Sequence, residues 1–552
     1  MYSRCTSPAN VARQTLILLV ALGFALWIPA AGLAQDAPMV WVASPWEHVL
    51  RDSPPGQVRE ANLVAARNEY EPFRVIVRAG QAPLREVTVQ PTDLVGSAGR
   101  VSAQHLACFR EHYIHITAPG SRSTALAGWY PDPLIPFVDP VDGSTPQAAK
   151  YPSGTVDIEA GANQGFFVDV YVPPDTPAGD YTGALAVLAG GEQWAEVPVR
   201  LTVWPFALPD TIAMRSNFGY FGERVAQAYG LDENSDEFRD IEDRYIDTML
   251  SHRCIPSSLG RVWPSWTPEG GIDDSQTRER LRSMVEDRHV NSLALPFPYG
   301  DGPERCRAYL HDLAAHLRGK GWLDLGYIYM LDEPNDADMY RTVREQAALI
   351  HEADPGIKRL CTEQTITSDP AWGDLYGSVD IWCPLWGLYD EPTANERLAA
   401  GEELWSYTAL CQCDEANPFW EIDFPPIVYR APFWVSWRLG ITGFLYWSSV
   451  YVEPGQDPWE GAYFRQAYWG EGFLLYPGLP AGLKSPVPSL RLKLIREGME
   501  DYEYMALAAQ RTSREAVADV VDDIARSFVD WDRSPERYTE ARAALARMIA
   551  GE

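Results

Sequence analysis

Two adjacent carboxylates, Asp332 and Glu333, followed at once by Pro334, are where this sequence concentrates its chemistry. They close the run Tyr327-Ile-Tyr-Met-Leu331, whose first three residues are strand formers. Pro334 disfavours the α-region for Glu333, so the pair is expected at the carboxyl end of a strand rather than inside a helix. In a parallel α/β barrel the active site forms at such ends. There, one acid can protonate a leaving group while the other stabilises developing charge. The alternative is an Asp that caps the next helix beside a solvated Glu.

Other chemistries find little support. There is no Gly-rich phosphate loop and no Gly-x-Ser-x-Gly elbow. His112 and His115 would point to opposite faces of a strand, and His311 and His316 are spaced poorly for one helix face. No metal site and no cofactor is expected. The seven Cys beyond Cys5 are scattered, and Cys411-Gln-Cys413 lacks the second pair that a structural zinc site needs. Buried thiols are expected, with one or two bridges at most. Glu363, Asp380, Glu421 and Asp423 lie near other expected strand ends and are candidates for a second carboxylate. Each also reads as a solvated or capping residue.

Aromatics at strand ends are more telling. Of the 20 Trp, 12 lie in the C-terminal half, and an indole offers a flat apolar face to a pyranose. Trp382 and Trp386 flank the end of the sixth expected barrel strand, Tyr446-Trp447 closes the eighth, and Trp459 lies in the loop beyond. These residues and Glu363 are the candidate substrate contacts. Trp434 and Trp437 fit core packing equally well.

The elements that must position these residues fall into two regimes. Residues 36–205 carry alternating or β-branched runs separated by Gly/Pro turns, which predicts a β-sandwich. Inside it, 121–154 is a long Pro-, Gly- and Asp-rich loop of the kind that covers a neighbouring site. A Pro-punctuated boundary at 204–209 follows. From 210 to 552 strands and helices alternate. Eight strands are expected at 213–218, 254–259, 291–296, 326–331, 357–362, 379–384, 403–409 and 443–447, which predicts a (β/α)8 TIM barrel with the acid pair closing the fourth. A helical tail follows, with Ser489 as the N-cap of its first helix.

At the amino terminus Arg4 and Arg13 precede an apolar run at 15–28 and small residues at 32–34. This pattern predicts a signal peptide over 1–34 and an exported protein, periplasmic or extracellular, with no membrane insertion after cleavage. The formal charge of −30 argues against nucleic acid and anionic membranes as partners. A glycan or glycoconjugate fits, and oligomeric state is left open.

The C-terminal half also resembles a known family. Ala431-Pro-Phe-Trp-Val-Ser-Trp-Arg-Leu-Gly-Ile-Thr-Gly-Phe-Leu-Tyr-Trp447, Asp457-Pro-Trp459, Leu475-Tyr-Pro-Gly478, Pro488-Ser-Leu-Arg-Leu492 and Arg496-Glu-Gly-Met-Glu-Asp-Tyr-Glu-Tyr504 look like the catalytic domain of glycoside hydrolase family 123 and its DUF4091 relatives. Asn68-Glu-Tyr-Glu-Pro-Phe73 and Gly179-Asp-Tyr-Thr-Gly183 resemble that family's N-terminal sandwich. One departure is Gly470-Glu-Gly472, where Gly-Asp-Gly is the commoner pattern. The resemblance implies β-N-acetylgalactosaminidase activity by a substrate-assisted retaining mechanism. It makes Glu333 the general acid and then the general base, and Asp332 the residue that orients the 2-acetamido group. Two readings stand beside it: a conventional retaining glycosidase with Glu333 as acid/base and Glu363 or Glu421 as nucleophile, and a glycan-binding protein without catalysis.

Overall fold

A computed structural model describes residues 37–552, except 121, 268, 368, 411, 413–415, 462 and 466. The expected signal peptide and both cysteines of the Cys411-Gln-Cys413 motif lie outside the described residues. The five described cysteines, Cys108, Cys254, Cys306, Cys361 and Cys383, are all free and buried. No helix among the described residues is long and apolar enough to cross a membrane.

The first half is built from two sheets. One is five-stranded and antiparallel throughout, in the spatial order Met39–Ala43, Glu69–Arg78, Asn163–Val172, Leu106–Ile116, Gly128–Pro136. The other has seven strands and includes the hairpin of Gly179–Ala189 with Glu192–Ala207. Between them lies an apolar core of Val75, Val77, Phe166, Val168, Leu185 and Val199. Strand Asn163–Val172 is buried almost residue by residue, because the first sheet is covered on both faces. Its second face packs Phe109, Leu134 and Phe167 into the large core of the other half.

Past Ala207 the chain leaves the sandwich and enters a wholly parallel sheet at Arg215. Seven parallel strands follow in the order Arg215–Phe218, Gly443–Tyr446, Glu403–Thr408, Ile381–Trp382, Lys358–Cys361, Gly326–Tyr329, Leu293–Ala294. The sheet curls into a nearly closed parallel barrel. The second expected strand, at 254–259, contributes only a single parallel bridge between Phe218 and Pro256. Pro256 has no N–H to extend a ladder, and the barrel stays open at this point. Side chains alternate across each strand. Tyr327, Tyr329, Trp405, Tyr407 and Leu445 point inward, while Ile328, Leu404 and Phe444 face the surrounding core.

Helices Asp236–Ser251, Pro303–Lys320, Ala337–Ala353, Glu391–Ala399 and Ala431–Arg438 cover the outside of this sheet. Between the second and third expected strands, an α-helical turn at Arg278–Arg282 widens into a π-helical turn at Ser283–Asp287. Helix Leu490–Arg511 starts at Ser489, whose side chain accepts the Leu492 N–H. This helix is buried on every side from Leu490 to Met505. It wedges between the first sheet and the outer helices, so it touches both halves of the molecule.

Candidate active site

The carboxyl ends of the parallel strands open into a cavity of about 900 Å³. Its wall takes Tyr329, Tyr407, Leu445 and Tyr446 from the strands themselves, and Met330, Asp332, Glu333, Thr362, Ala409, Leu410 and Trp447 from the segments just past them. The acid pair is at this mouth. Strand Gly326–Tyr329 ends earlier than its apolar run, and the pair sits in the turn beyond it. The next helix is capped by Asp336, which accepts the Met339 N–H. Asp332 therefore does not serve as the cap.

The two acids occupy unlike surroundings. Asp332 Oδ1 accepts from Tyr329 Oη at 2.6 Å and from Thr362 Oγ1 at 2.8 Å. Two hydroxyls thus fix it as an oriented acceptor facing the cavity. Glu333 is half-buried, and the Tyr407 hydroxyl donates to its Oε1. Burial pushes the Glu333 carboxyl above its ordinary range; the Tyr407 bond opposes this and the neighbouring Asp332 charge adds to it. The backbone at Glu333 is left-handed, φ +43°. Pro334 does keep it out of the right-handed α-region, but into the left-handed region rather than an extended conformation. That costs about 1–3 kcal/mol for a non-glycine residue. The Thr362 hydroxyl helps to hold the turn by accepting the Glu333 N–H at 2.9 Å.

Of the expected substrate contacts, Tyr446 and Trp447 line the cavity. The other four do not. Trp386 is turned inward by the short helix Trp386–Leu388, stacks on Phe528 at 5.3 Å and donates to Ser406. Trp382 is buried with its indole on Glu402 Oε2. Trp459 stacks on Tyr151 and donates to the Pro477 carbonyl. Glu363 is 6 % exposed and accepts from the Tyr340 hydroxyl. Glu421 and Asp423 are buried behind the wall rather than on it. For the three Trp and Glu363 a partner distant in sequence claims the side chain.

Residues that sequence reasoning passed over complete the wall. Tyr407 and Thr362 hold the acids, Phe221, Phe464 and Tyr468 supply an aromatic rim, and Arg122 and Arg465 bring positive charge. A signal for Tyr407 existed: it shares the inward parity of Trp405 and stands near the strand's carboxyl end. Arg122 comes from the loop between strands Leu106–Ile116 and Gly128–Pro136 of the first half. It donates to the Gln412 carbonyl and lies over the Phe419 ring. Its flanks are pinned by the Gly120 N–H on Asp423 Oδ2 at 2.9 Å and by Ser123 Oγ on the Asp423 carbonyl. Among the described residues no group of three or more His, Cys, Asp or Glu is arranged to hold a metal ion.

Comparison with known proteins bears on this cavity. A solved structure of a family 123 glycoside hydrolase from Clostridium perfringens superposes with a TM-score of 0.67 at 15% identity, over 93% of this chain and 98% of that one, which shows a common fold. A family 39 glycoside hydrolase from Bacteroides cellulosilyticus aligns at a TM-score of 0.31 and 11% identity, over 79% of this chain and 81% of that one, too remote to inform the site. No curated protein matches the chain. Residues 303–508 match the profile of the glycoside hydrolase 123 catalytic domain. That stretch includes the acid pair, Thr362, Tyr407 and Trp447, so the part of the molecule that matches is the part that builds most of the cavity. Over residues 303–508 the chain is thus similar to the catalytic domain of glycoside hydrolase family 123.

Proposed function

We propose that the protein is an exported glycoside hydrolase that removes terminal β-linked N-acetylgalactosamine, or a related N-acetylhexosamine, from a glycan or glycoconjugate by a substrate-assisted, retaining route. The observation that carries this reading is the unequal setting of two adjacent acids: one desolvated and inclined to hold a proton, the other locked by two hydroxyls as an acceptor. The protein in this reading works on the carboxyl-end mouth of a (β/α)8-type barrel.

In the first step Glu333 gives its proton to the glycosidic oxygen as the C1–oxygen bond breaks. The acetamido oxygen forms the new bond to C1, and the positive charge spreads over the resulting ring. Asp332 accepts the acetamido N–H, which orients that oxygen and offsets the charge. In the second step Glu333, now a carboxylate, takes a proton from water while the water oxygen bonds to C1 and the ring opens. Glu363 and Glu421 are buried away from the cavity, and this route needs neither.

A panel of paired chromogenic glycosides tests the reading. The 2-acetamido β-glycosides are expected to be cleaved and their 2-hydroxy counterparts not. Equal rates on both would overturn it. Glu333→Gln is expected to lower kcat/KM by roughly 10²–10⁴-fold, with the smallest loss on the best leaving groups. Asp332→Asn should be severe on every acetamido substrate.

A further inference from the structure

The turn Gly470-Glu471-Gly472 takes no part in the acid pair's chemistry, yet it backs the cavity wall. Glu471 is 3 % exposed, and its Oε1 accepts from Trp447 Nε1 at 2.6 Å. The Gly472 N–H donates to the Tyr446 hydroxyl at 2.8 Å. At Gly472 φ is +71°, and a Cβ there would lie 2.2 Å from the Trp447 ring. Only glycine lets the turn come this close. Gly470, φ +78°, also packs closely on the Arg491 guanidinium, which a Cβ there would approach to 2.7 Å, and its carbonyl accepts from Arg491 Nη1 at 2.7 Å. Trp447 also meets Tyr451 at 5.1 Å and the cavity-lining Phe464 at 5.6 Å between ring centroids.

Glu471 is costly to place here. Burial pushes its carboxyl up to about 7, with the Trp447 bond and the Arg491 charge opposing. The Arg491 guanidinium is already committed to Asp132. Packing alone would favour an apolar residue at such a position. A short bond from an indole to a carboxylate is strong and directional, and it sets the rotation of the ring.

We propose that Glu471 is a positioning residue: by holding the Trp447 indole, it fixes the aromatic platform against which the terminal sugar's apolar face rests. This assignment rests on the functional reading above for the identity of the sugar, but the placement of the indole stands apart from it.

The test is a double-mutant cycle on the full chain with a chromogenic N-acetyl-β-galactosaminide. Glu471→Leu is expected to raise KM about tenfold or more while kcat changes by less than about threefold. Glu471→Gln keeps both the shape and an acceptor oxygen and should stay within about threefold of wild type, whereas Glu471→Met, which keeps the length without the acceptor, should behave like Glu471→Leu; a purely steric role would let Met rescue as well as Gln. In a Trp447→Phe background, Glu471→Leu should add less than about twofold. Independently of turnover, the nitrogen-labelled indole spectrum carries a Trp447 N–H resonance, assigned by its loss in Trp447→Phe. It should move in Glu471→Leu and hold in Glu471→Gln. An unmoved resonance, or an undiminished KM loss in the Trp447→Phe background, overturns the proposal. If wild type cleaves no N-acetylhexosaminide, the functional reading fails, and the indole resonance still decides the role of Glu471.

Discussion

The Tyr407 hydroxyl on Glu333 is the contact at which proton chemistry can be tuned most directly. By donating to the carboxylate it stabilises the charged form and so opposes the upward push of burial. A general acid must be protonated in the free enzyme, so kcat/KM should fall as pH rises through the Glu333 pKa. Removing the donor leaves the push of burial and of Asp332 unopposed, and the pKa rises further. Tyr407→Phe is therefore expected to move the alkaline limb of the kcat/KM profile to higher pH, with a lower plateau if the hydroxyl also meets substrate. A limb that moves to lower pH would contradict this account of the carboxyl's surroundings. Thr362 is the other residue to watch, because one hydroxyl serves both acids, donating to Asp332 and accepting from the Glu333 backbone. Thr362→Val keeps the shape and should lower activity on acetamido substrates about tenfold, with little change in thermal midpoint, since both acids lose a fixed partner at once.

At the level of elements, the site depends on a loop that belongs to the other half of the chain. Arg122 reaches the cavity from the connection between strands Leu106–Ile116 and Gly128–Pro136, and its base is tied to Asp423. Arg122→Ala should raise KM about five- to tenfold and leave far-UV circular dichroism unchanged, because the loop's backbone ties remain. The sequence pointed to a covering loop here but not to the residue, since no pattern in 121–154 distinguishes Arg122 from a solvated arginine. The acid pair was legible for the opposite reason: two carboxylates, a strand-forming run before them and Pro334 after them all constrain the same few residues. Trp382, Trp386 and Trp459 were misplaced because their surroundings are set by Glu402, Phe528 and Tyr151. A Trp just past a strand has equal reason to face a ligand or a neighbouring helix, and only the tertiary partner decides. The seven strands were legible from their apolar runs, whereas the segment at 254–259 was not, because Pro256 interrupts what its composition suggests.

At the scale of the molecule, helix Leu490–Arg511 carries the charges that couple the two halves. Arg496 and Lys493 meet Asp169 in the middle of the buried strand Asn163–Val172. Arg491 meets Asp132 of strand Gly128–Pro136 through two bonds, Nε to Oδ1 at 2.8 Å and Nη2 to Oδ2 at 2.9 Å, and both residues are 1 % exposed. The same guanidinium reaches the Trp420 and Gly470 carbonyls. A continuous path therefore runs from the sandwich, through Arg491, to the turn that holds Trp447. Removing one partner of a buried pair leaves the other charge unpaired, so Asp132→Ala should cost about 3–5 kcal/mol. The halves also share one apolar core, with Phe109 and Phe167 packed among barrel-side residues. Loss of Asp132 is thus expected to lower a single urea midpoint seen alike by far-UV dichroism and Trp fluorescence, instead of splitting the transition in two. It should also raise KM at concentrations of urea well below that midpoint, because Arg491 no longer anchors Gly470. If the sandwich unfolded first while KM stayed at its wild-type value, the path from Asp132 to Trp447 would have no mechanical meaning, and the sandwich's part in the site would reduce to the Arg122 loop.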